Sequence, residues 1–339
     1  VSAVPHLTLG RLTRVNGGLL LALVVTLVAA AALGPVAIDW RRALAPSSAL
    51  SPDAVILFRA RIPRVLLAAI VGGALATAGA ALQALLRNPL ADPHLLGVSG
   101  GAALAGVCAL VLQPVVGQTV IVPAAAFAGA LVSMWIVFRL ARVAGRLDAY
   151  TLLLIGVIYN AFTSALLMFV NSIVDFYQAH GVLFWLMGSL ANRDYGVVAA
   201  LALYTLAGLG VLMLRARDLD CLTLGDDRAA ELGVAVDRAR TIIFVATSLL
   251  VGAVVSVSGM IGFVGLVVPH VVRLAVGADH RVLLPATYLA GAIFLVWADT
   301  VARTALGATE IPVGVVTALF GAPFFAWLLR RERRRVGGA

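Results

Sequence analysis

RIPRVLLAAIVGGALATAGA, residues 61–80, reads as a helix entering a membrane. No residue from Val65 to Leu86 is charged, and about 20 apolar residues are enough to cross the hydrocarbon layer. The mixture of Ala, Leu, Val and Gly lacks the polar/apolar alternation of a barrel strand, and a backbone in lipid must satisfy its own hydrogen bonds, so the stretch is expected to be helical. Similar apolar runs lie on both sides of it, at 17–38, 62–86, 95–112, 117–138, 150–170, 195–214, 241–257, 259–277, 282–303 and 312–329. The expected fold is therefore an all-α polytopic membrane protein of about ten transmembrane helices, one transmembrane domain over 1–339.

Composition agrees. The chain is 62% hydrophobic and 12% charged, whereas soluble domains carry about 25% charged residues. Ten spans with short connections leave no room for a sizeable soluble domain. The first run, 17–38, follows Arg11 and Arg14 but exceeds the roughly 7–15 apolar residues of a signal-peptide core, so an uncleaved first span is expected.

The net charge of +9 could suggest nucleic acid, but the basic residues are all arginines and lie in short loops between apolar runs. That placement reports orientation. With the N-terminus in the cytoplasm, Arg41, Arg42, Arg59, Arg61, Arg64, Arg193 and Arg303 fall outside, and the other 18 of the 25 fall inside. Both termini are expected in the cytoplasm. Cys108 and Cys221 fall in distant regions with no metal-ligand spacing, and no disulfide is expected.

Laying 61–80 over RTIIFVATSLLVGAVVSVSG, 240–259, repeats an Arg, a Gly-Ala and a small-residue stretch at constant offset. The two segments run in opposite directions through the membrane, which makes a faint inverted repeat. In QALLRNPLADPHLLGVSGGA, 83–102, Asn88-Pro89 and Asp92-Pro93 break a helix, and Gly97, Gly100 and Gly101 permit a tight re-entry with close helix packing. A plain turn is the simpler alternative. SIVDFYQAHGVLFWLMGSLANRDY, 172–195, reads as a short helix at the outer mouth of a pathway. Phe176, Tyr177, Phe184, Trp185 and Met187 could stack on a flat macrocycle, and Tyr177 or His180 could touch its metal. An aromatic belt at the interface would give the same composition.

RxPR (61–64), RNPLADPxLLGVSxGA (87–102), GFVGLVVPHVVR (262–273) and EIPVGVVTALFGAPFF (310–325) occur in this order. Together they resemble the permease family of type II ABC importers for ferric siderophores, haem and cobalamin, over about Arg61 to Leu329. The resemblance implies a bacterial inner-membrane homodimer with one pathway on its axis, driven by two cytoplasmic ATPase subunits and fed by a periplasmic haem- or siderophore-binding protein. No permanently bound cofactor or metal is implied, since ATP is used by the partner subunit. The chain holds no lysine, so it contains no P-loop GxxxxGK[ST] and is not expected to be an enzyme.

The resemblance also assigns roles. RARDLDCLTLGDDRAAELGVAVDRAR, 215–240, becomes the cytoplasmic coupling segment, with Leu224, Gly225, Asp226, Asp227, Arg228, Glu231, Leu232 and Gly233 as ATPase contacts. Thr223 and Asp226 are expected to cap its helix. Arg61, Arg64 and Arg303, with Arg59 beside them, would receive carboxylates of the binding protein, where charge pairs steer docking, although interface snorkelling is the alternative. Asn88 and Leu90 would form one part of the cytoplasmic gate and Arg146, Leu147 and Asp148 the other, their register open. His94 and His270 are expected to cap turns at the cytoplasmic face. Among the cargoes, haem is favoured over ferric siderophore and cobalamin by the aromatic mouth and by general likeness to haem-importer permeases.

Two other functions fit parts of the sequence. Ion-coupled carriers usually need intramembrane carboxylates, and only Asp299 looks embedded, with Glu310 at an edge. An intramembrane serine protease could be read into the GxSG pattern around Ser99 with His270 as base, but that pattern lies wholly inside the importer motif.

Overall fold

A computed structural model describes residues 9–44, 51–116, 121–191, 194–307 and 309–336. In chain order its helices are α1 (Leu9–Ala32), α2 (Trp40–Ala43), α3 (Pro52–Val55), a π turn (Ile56–Arg61), α4 (Ile62–Leu85), a 3-10 turn (Pro93–Leu96), α5 (Val98–Val116), α6 (Ile121–Leu140) and α7 (Ala149–Ile173). There follow α8 (Phe176–Leu186), α9 (Tyr195–Leu214), α10 (Ala216–Thr223), α11 (Asp226–Glu231), α12 (Val236–Ser258), α13 (Val264–Val276), α14 (His280–Thr304) and α15 (Val313–Val336). Strands β1 (Arg142–Val143) and β2 (Arg146–Leu147) form a small antiparallel hairpin. The fold is all-α and polytopic, and each expected apolar run corresponds to one long or medium helix. Residues 117–120 of the fourth run and Arg193 lie outside the described residues.

α4 and α12 form the interior. The most apolar stretch of α4 is 83% buried and that of α12 is 72% buried, whereas those of α1 and α7 are 11% and 17% buried. The outer helices therefore leave apolar faces for lipid or a second protein chain to cover. Because lipid tails are as apolar as leucine, helix association in the membrane depends on close packing of small residues. α4 follows this rule. A Cβ on Gly72 would lie 2.2 Å from the carbonyl of Gly291 on α14, and one on Gly79 would lie 1.9 Å from that of Gly265 on α13.

Among the described residues seven helical segments are long and apolar enough to cross a membrane, and three shorter apolar ones, Val98–Gln113, Val264–Val276 and Val313–Trp327, stand beside them. The expected span 259–277 is corrected accordingly. α13 has 13 residues, about 20 Å of rise, against a hydrocarbon thickness of about 30 Å. The chain after α12 turns through Gly259 and Phe263, both at φ +68, before α13 begins.

The connection after α4 also enters the bundle. Alternating crossings put the ends of α4 and α12 on opposite faces, yet His94 Nε2 lies 2.8 Å from the carbonyl oxygen of Ile261. Pro93 packs where a Cβ on Gly265 would stand, 2.5 Å from its Cδ. The two connections thus meet within the bundle, and His94 joins them there instead of capping a turn at the cytoplasmic face. His270 is likewise not a cap. It lies in mid-helix, buried, with its ring edge-on to Phe325 at 5.8 Å.

Candidate functional site

The segment 215–240 folds into α10, α11 and the start of α12. Gly225 at φ +107 and Gly233 at φ +85 make its turns, conformations that cost a residue with a Cβ. The expected caps are not formed. The Thr223 hydroxyl donates backwards to the Asp220 carbonyl at 2.6 Å, and Asp226 is the first helical residue after Gly225, with no side-chain cap. α10 buries Leu219 and Leu222. Asp220 anchors it, accepting from the His280 backbone N–H at 3.0 Å and lying 2.6 Å from His280 Nδ1.

The Asp226 carboxylate turns to two arginines. Its Oδ1 is 2.6 Å from Arg240 Nη2 and 3.7 Å from Arg87 Nη2. Asp227, Arg228, Glu231, Leu224 and Leu232 stay exposed, and the two leucines expose 54% and 50% of their surface. Polar and half-exposed apolar groups thus share one short turn, a composition suited to a protein partner.

Both expected gate parts lie beside this helix. Arg87 precedes Asn88, whose Oδ1 accepts from Leu90 N–H at 2.9 Å, and Leu90 is 44% exposed. In the other part, Ala144 and Gly145 take φ +48 and +82, as a two-residue hairpin turn requires. The turn pairs Arg142 with Leu147 and Val143 with Arg146. Leu147 is buried, donates its N–H to Asp237 Oδ1 at 2.8 Å and accepts from Arg240 Nη1 at 3.2 Å. Arg146 is exposed. Asp148 caps α7, accepting from the Thr151 N–H at 2.7 Å and hydroxyl at 2.8 Å. These two bonds, with a smaller contribution from Arg240, hold its carboxyl below the usual carboxylate range. An 810 Å³ cleft separates the hairpin from α11 and the start of α12.

Arg240 therefore bridges α11 to the β1–β2 hairpin, and Arg87 reaches the same carboxylate from the turn after α4. The sequence marks Arg240 as the end of the 215–240 segment and Arg87 as the start of the 87–102 motif, but not their shared partner Asp226. A usable signal was present for Arg240, which stands opposite Arg61 in the repeat. Both are buried arginines that donate to carbonyls of other elements.

At the opposite end, the expected docking arginines divide. Arg59 is exposed. Arg61 is buried and donates to Ala31 and Ala32 carbonyls at 3.2 and 2.8 Å and to that of Val36, satisfying the orphan acceptors at the end of α1. Arg303 is also buried, donating to the Ala30 carbonyl and lying 3.6 Å from Asp299. Neither guanidinium is presented outward, which corrects the surface placement read from the sequence. Arg64 is held by Asp299 at 3.0 Å and by Glu310 at 2.8 Å. Asp299 is 1% exposed and Glu310 48%, so only the second is open to competition from solvent or a partner.

Arg64 and Glu310 border a 330 Å³ pocket with Phe184, Trp185 and Pro312. Of the aromatic mouth residues, Phe184 and Trp185 line this pocket. Phe176 and Tyr177 stand 82% and 88% exposed at the start of α8, away from the lining. The His180 ring lies 4.7 Å from that of Phe184. Half-buried Met187 accepts a backbone bond from Gly314 at 3.1 Å, which fixes α8 to the start of α15.

The model of a family described as the FecCD transport family matches residues 21–331. Over 284 residues the chain is 48% identical to the cobalamin import system permease protein BtuC of Halobacterium salinarum, covering 83% of this chain and 75% of that one. Over 337 residues it is 40% identical to the hemin transport system permease protein HmuU of Yersinia pestis, covering 95% and 97%. Among solved structures, an inward-facing conformation of a putative metal-chelate type ABC transporter superposes with TM-score 0.81 at 33% identity, covering 94% of this chain and 99% of that one.

Proposed function

The chain belongs to the FecCD transport family, and from that premise we propose that it is the permease subunit through which a bacterial importer moves haem across the inner membrane. It is a multi-pass permease of the type II ABC importer class. In the proposed assembly two copies form a homodimer around one pathway, surrounded by membrane lipid. Two separate ATPase subunits bind below and consume the ATP, and a periplasmic haem-binding protein docks above. The permease itself holds no permanent cofactor or metal and needs no nucleic acid.

The observation that carries this reading is the junction at Asp226. A helix exposing Leu224 and Leu232 offers a partner a surface, and its carboxylate is linked through Arg240 to Leu147 and through Arg87 to the Asn88 turn. A movement imposed on α11 would pull on both gate parts together. On the outer side, Arg59 and the Arg64–Glu310 pair supply charges for docking, and the Phe184–Trp185 pocket supplies a flat apolar wall for a macrocycle.

Cobalamin is the second reading, favoured by the relative named for cobalamin import at 48% identity; a ferric siderophore is the third. Uptake into proteoliposomes that hold the permease, its ATPase and its binding protein decides among them. Haem uptake that depends on ATP supports the proposal. Uptake of cobalamin or ferrisiderophore without haem replaces the cargo, and uptake without ATP or partner removes the importer reading.

A further inference from the structure

Between α9 and α12 runs an apolar groove of 430 Å³, walled by Tyr204, Gly208, Val211, Ile242, Val245 and Leu249. Leu203, Leu206 and Leu214 on α9 are exposed beside it, an apolar surface open to lipid. Besides Tyr204, the groove has one polar side chain in its wall, Thr241, near the arginine-rich face. Thr77, Thr247 and Thr300 each donate to the carbonyl four residues back at 2.8 Å, the usual way a threonine is satisfied in a membrane helix. Thr241 Oγ1 is buried and has no hydrogen-bond partner among the described residues. One turn earlier on the same stripe, i to i+4 with Ile242, stands Arg238, which is exposed and carries no ion pair with a described residue. Neighbouring charges are already engaged: Arg215 with Asp218 at 3.2 Å, and Asp237 with the Leu147 N–H.

The geometry points to a binding site for an anionic glycerophospholipid of the cytoplasmic leaflet. Its phosphate meets Arg238, an ester oxygen accepts from the Thr241 hydroxyl, and one acyl chain fills the groove. Lengths agree, because Thr241 to Leu249 rises about 12 Å and one leaflet of hydrocarbon is about 15 Å deep. Charge selects the headgroup, since an arginine at the surface attracts an anionic lipid and leaves a zwitterionic one nearly unaffected. The inference needs only the membrane placement and stands apart from the cargo.

The test is native mass spectrometry of the delipidated full chain, titrated with dioleoyl phosphatidylglycerol and dioleoyl phosphatidylcholine. Phosphatidylglycerol is expected to bind about fivefold tighter, the ratio for one arginine near the headgroups. Arg238→Gln should remove that preference while leaving phosphatidylcholine binding unchanged. Ala207→Trp, which fills the groove, should weaken both by about tenfold or more, corresponding to about 1.4 kcal/mol. Equal binding of the two lipids to the unaltered chain overturns the site, as does a preference that survives Arg238→Gln, or no bound lipid because another protein chain covers the groove. Circular dichroism checks folding, and if Ala207→Trp does not fold, the exposed Arg238→Gln variant decides alone.

Discussion

The carboxylate of Asp226 lies 2.6 Å from the guanidinium of Arg240, and the same guanidinium donates to the carbonyl of Leu147. One side chain thus ties α11 to the β1–β2 hairpin. The Arg240 side chain is 6% exposed and that of Asp226 40%, so the pair sits between the weak regime of surface ion pairs and the strong regime of buried ones.

Arg240→Ala should destabilise more than Asp226→Ala, because it strands both the carboxylate and the Leu147 carbonyl. The two effects should also be non-additive, with a coupling energy of about 1–3 kcal/mol for residues in direct contact. Denaturation of the two single variants and the double variant in one detergent measures it. Strict additivity would mean that the contact carries no energy.

Asp299→Asn should cost about 3–5 kcal/mol, since it leaves Arg64 and Arg303 without their buried counter-charge. Glu310→Gln removes the half-exposed partner of Arg64 and should cost about 1 kcal/mol or less. Chemical denaturation compares them, and equal costs would contradict the burial difference between the two carboxylates.

The lowered Asp148 carboxyl has a signed pH consequence. A group whose folded value lies below its unfolded value stabilises the fold above the ordinary carboxylate range, and that stabilisation is lost as pH falls through the lowered folded value. The first turn of α7 should therefore hold at neutral pH and fray below about pH 4. Hydrogen exchange at Thr151 should show protection that declines on acidification. In Asp148→Asn the protection should be weaker at neutral pH and flat across that range.

Gly79→Ala should disrupt folding, since its Cβ would stand 1.9 Å from the Gly265 carbonyl oxygen, a backbone clash that no rotamer relieves. Gly210→Ala on α9 meets nothing within 4 Å and should be neutral or stabilise by up to about 1 kcal/mol through helix propensity. Expression yield and thermal melting of the two variants test the contrast. Equal behaviour would show that the α4–α13 contact is looser than described.

Much of this architecture was legible in the sequence, because apolar runs are what a bilayer demands and arginines mark one face. The exceptions have physical causes. Residues 259–263 are apolar, so hydropathy passes through the bend at Phe263 without a mark and lengthens α13 into a full span. Arg61 and Arg303 looked external because helix-end arginines usually snorkel. Their acceptors, carbonyls at the end of α1, are invisible in composition, although Asp299 four residues before Arg303 was a readable hint. The segment 215–240 stood out as a polar stretch. Its link to the β1–β2 hairpin and to the turn after α4 did not, because Asp226, Arg87 and Leu147 meet only through tertiary packing.

The most direct measurement is cargo uptake and ATP hydrolysis followed together in proteoliposomes containing the permease, its ATPase and its binding protein, with and without Arg240→Gln. If Arg240 carries motion from α11 to the gate, uptake should fall by about tenfold, or 1.4 kcal/mol of lost coupling, while hydrolysis stays within about twofold. Uptake that persists at the unaltered rate, or uptake and hydrolysis that fall in parallel, would contradict a coupling role for the Asp226–Arg240–Leu147 link.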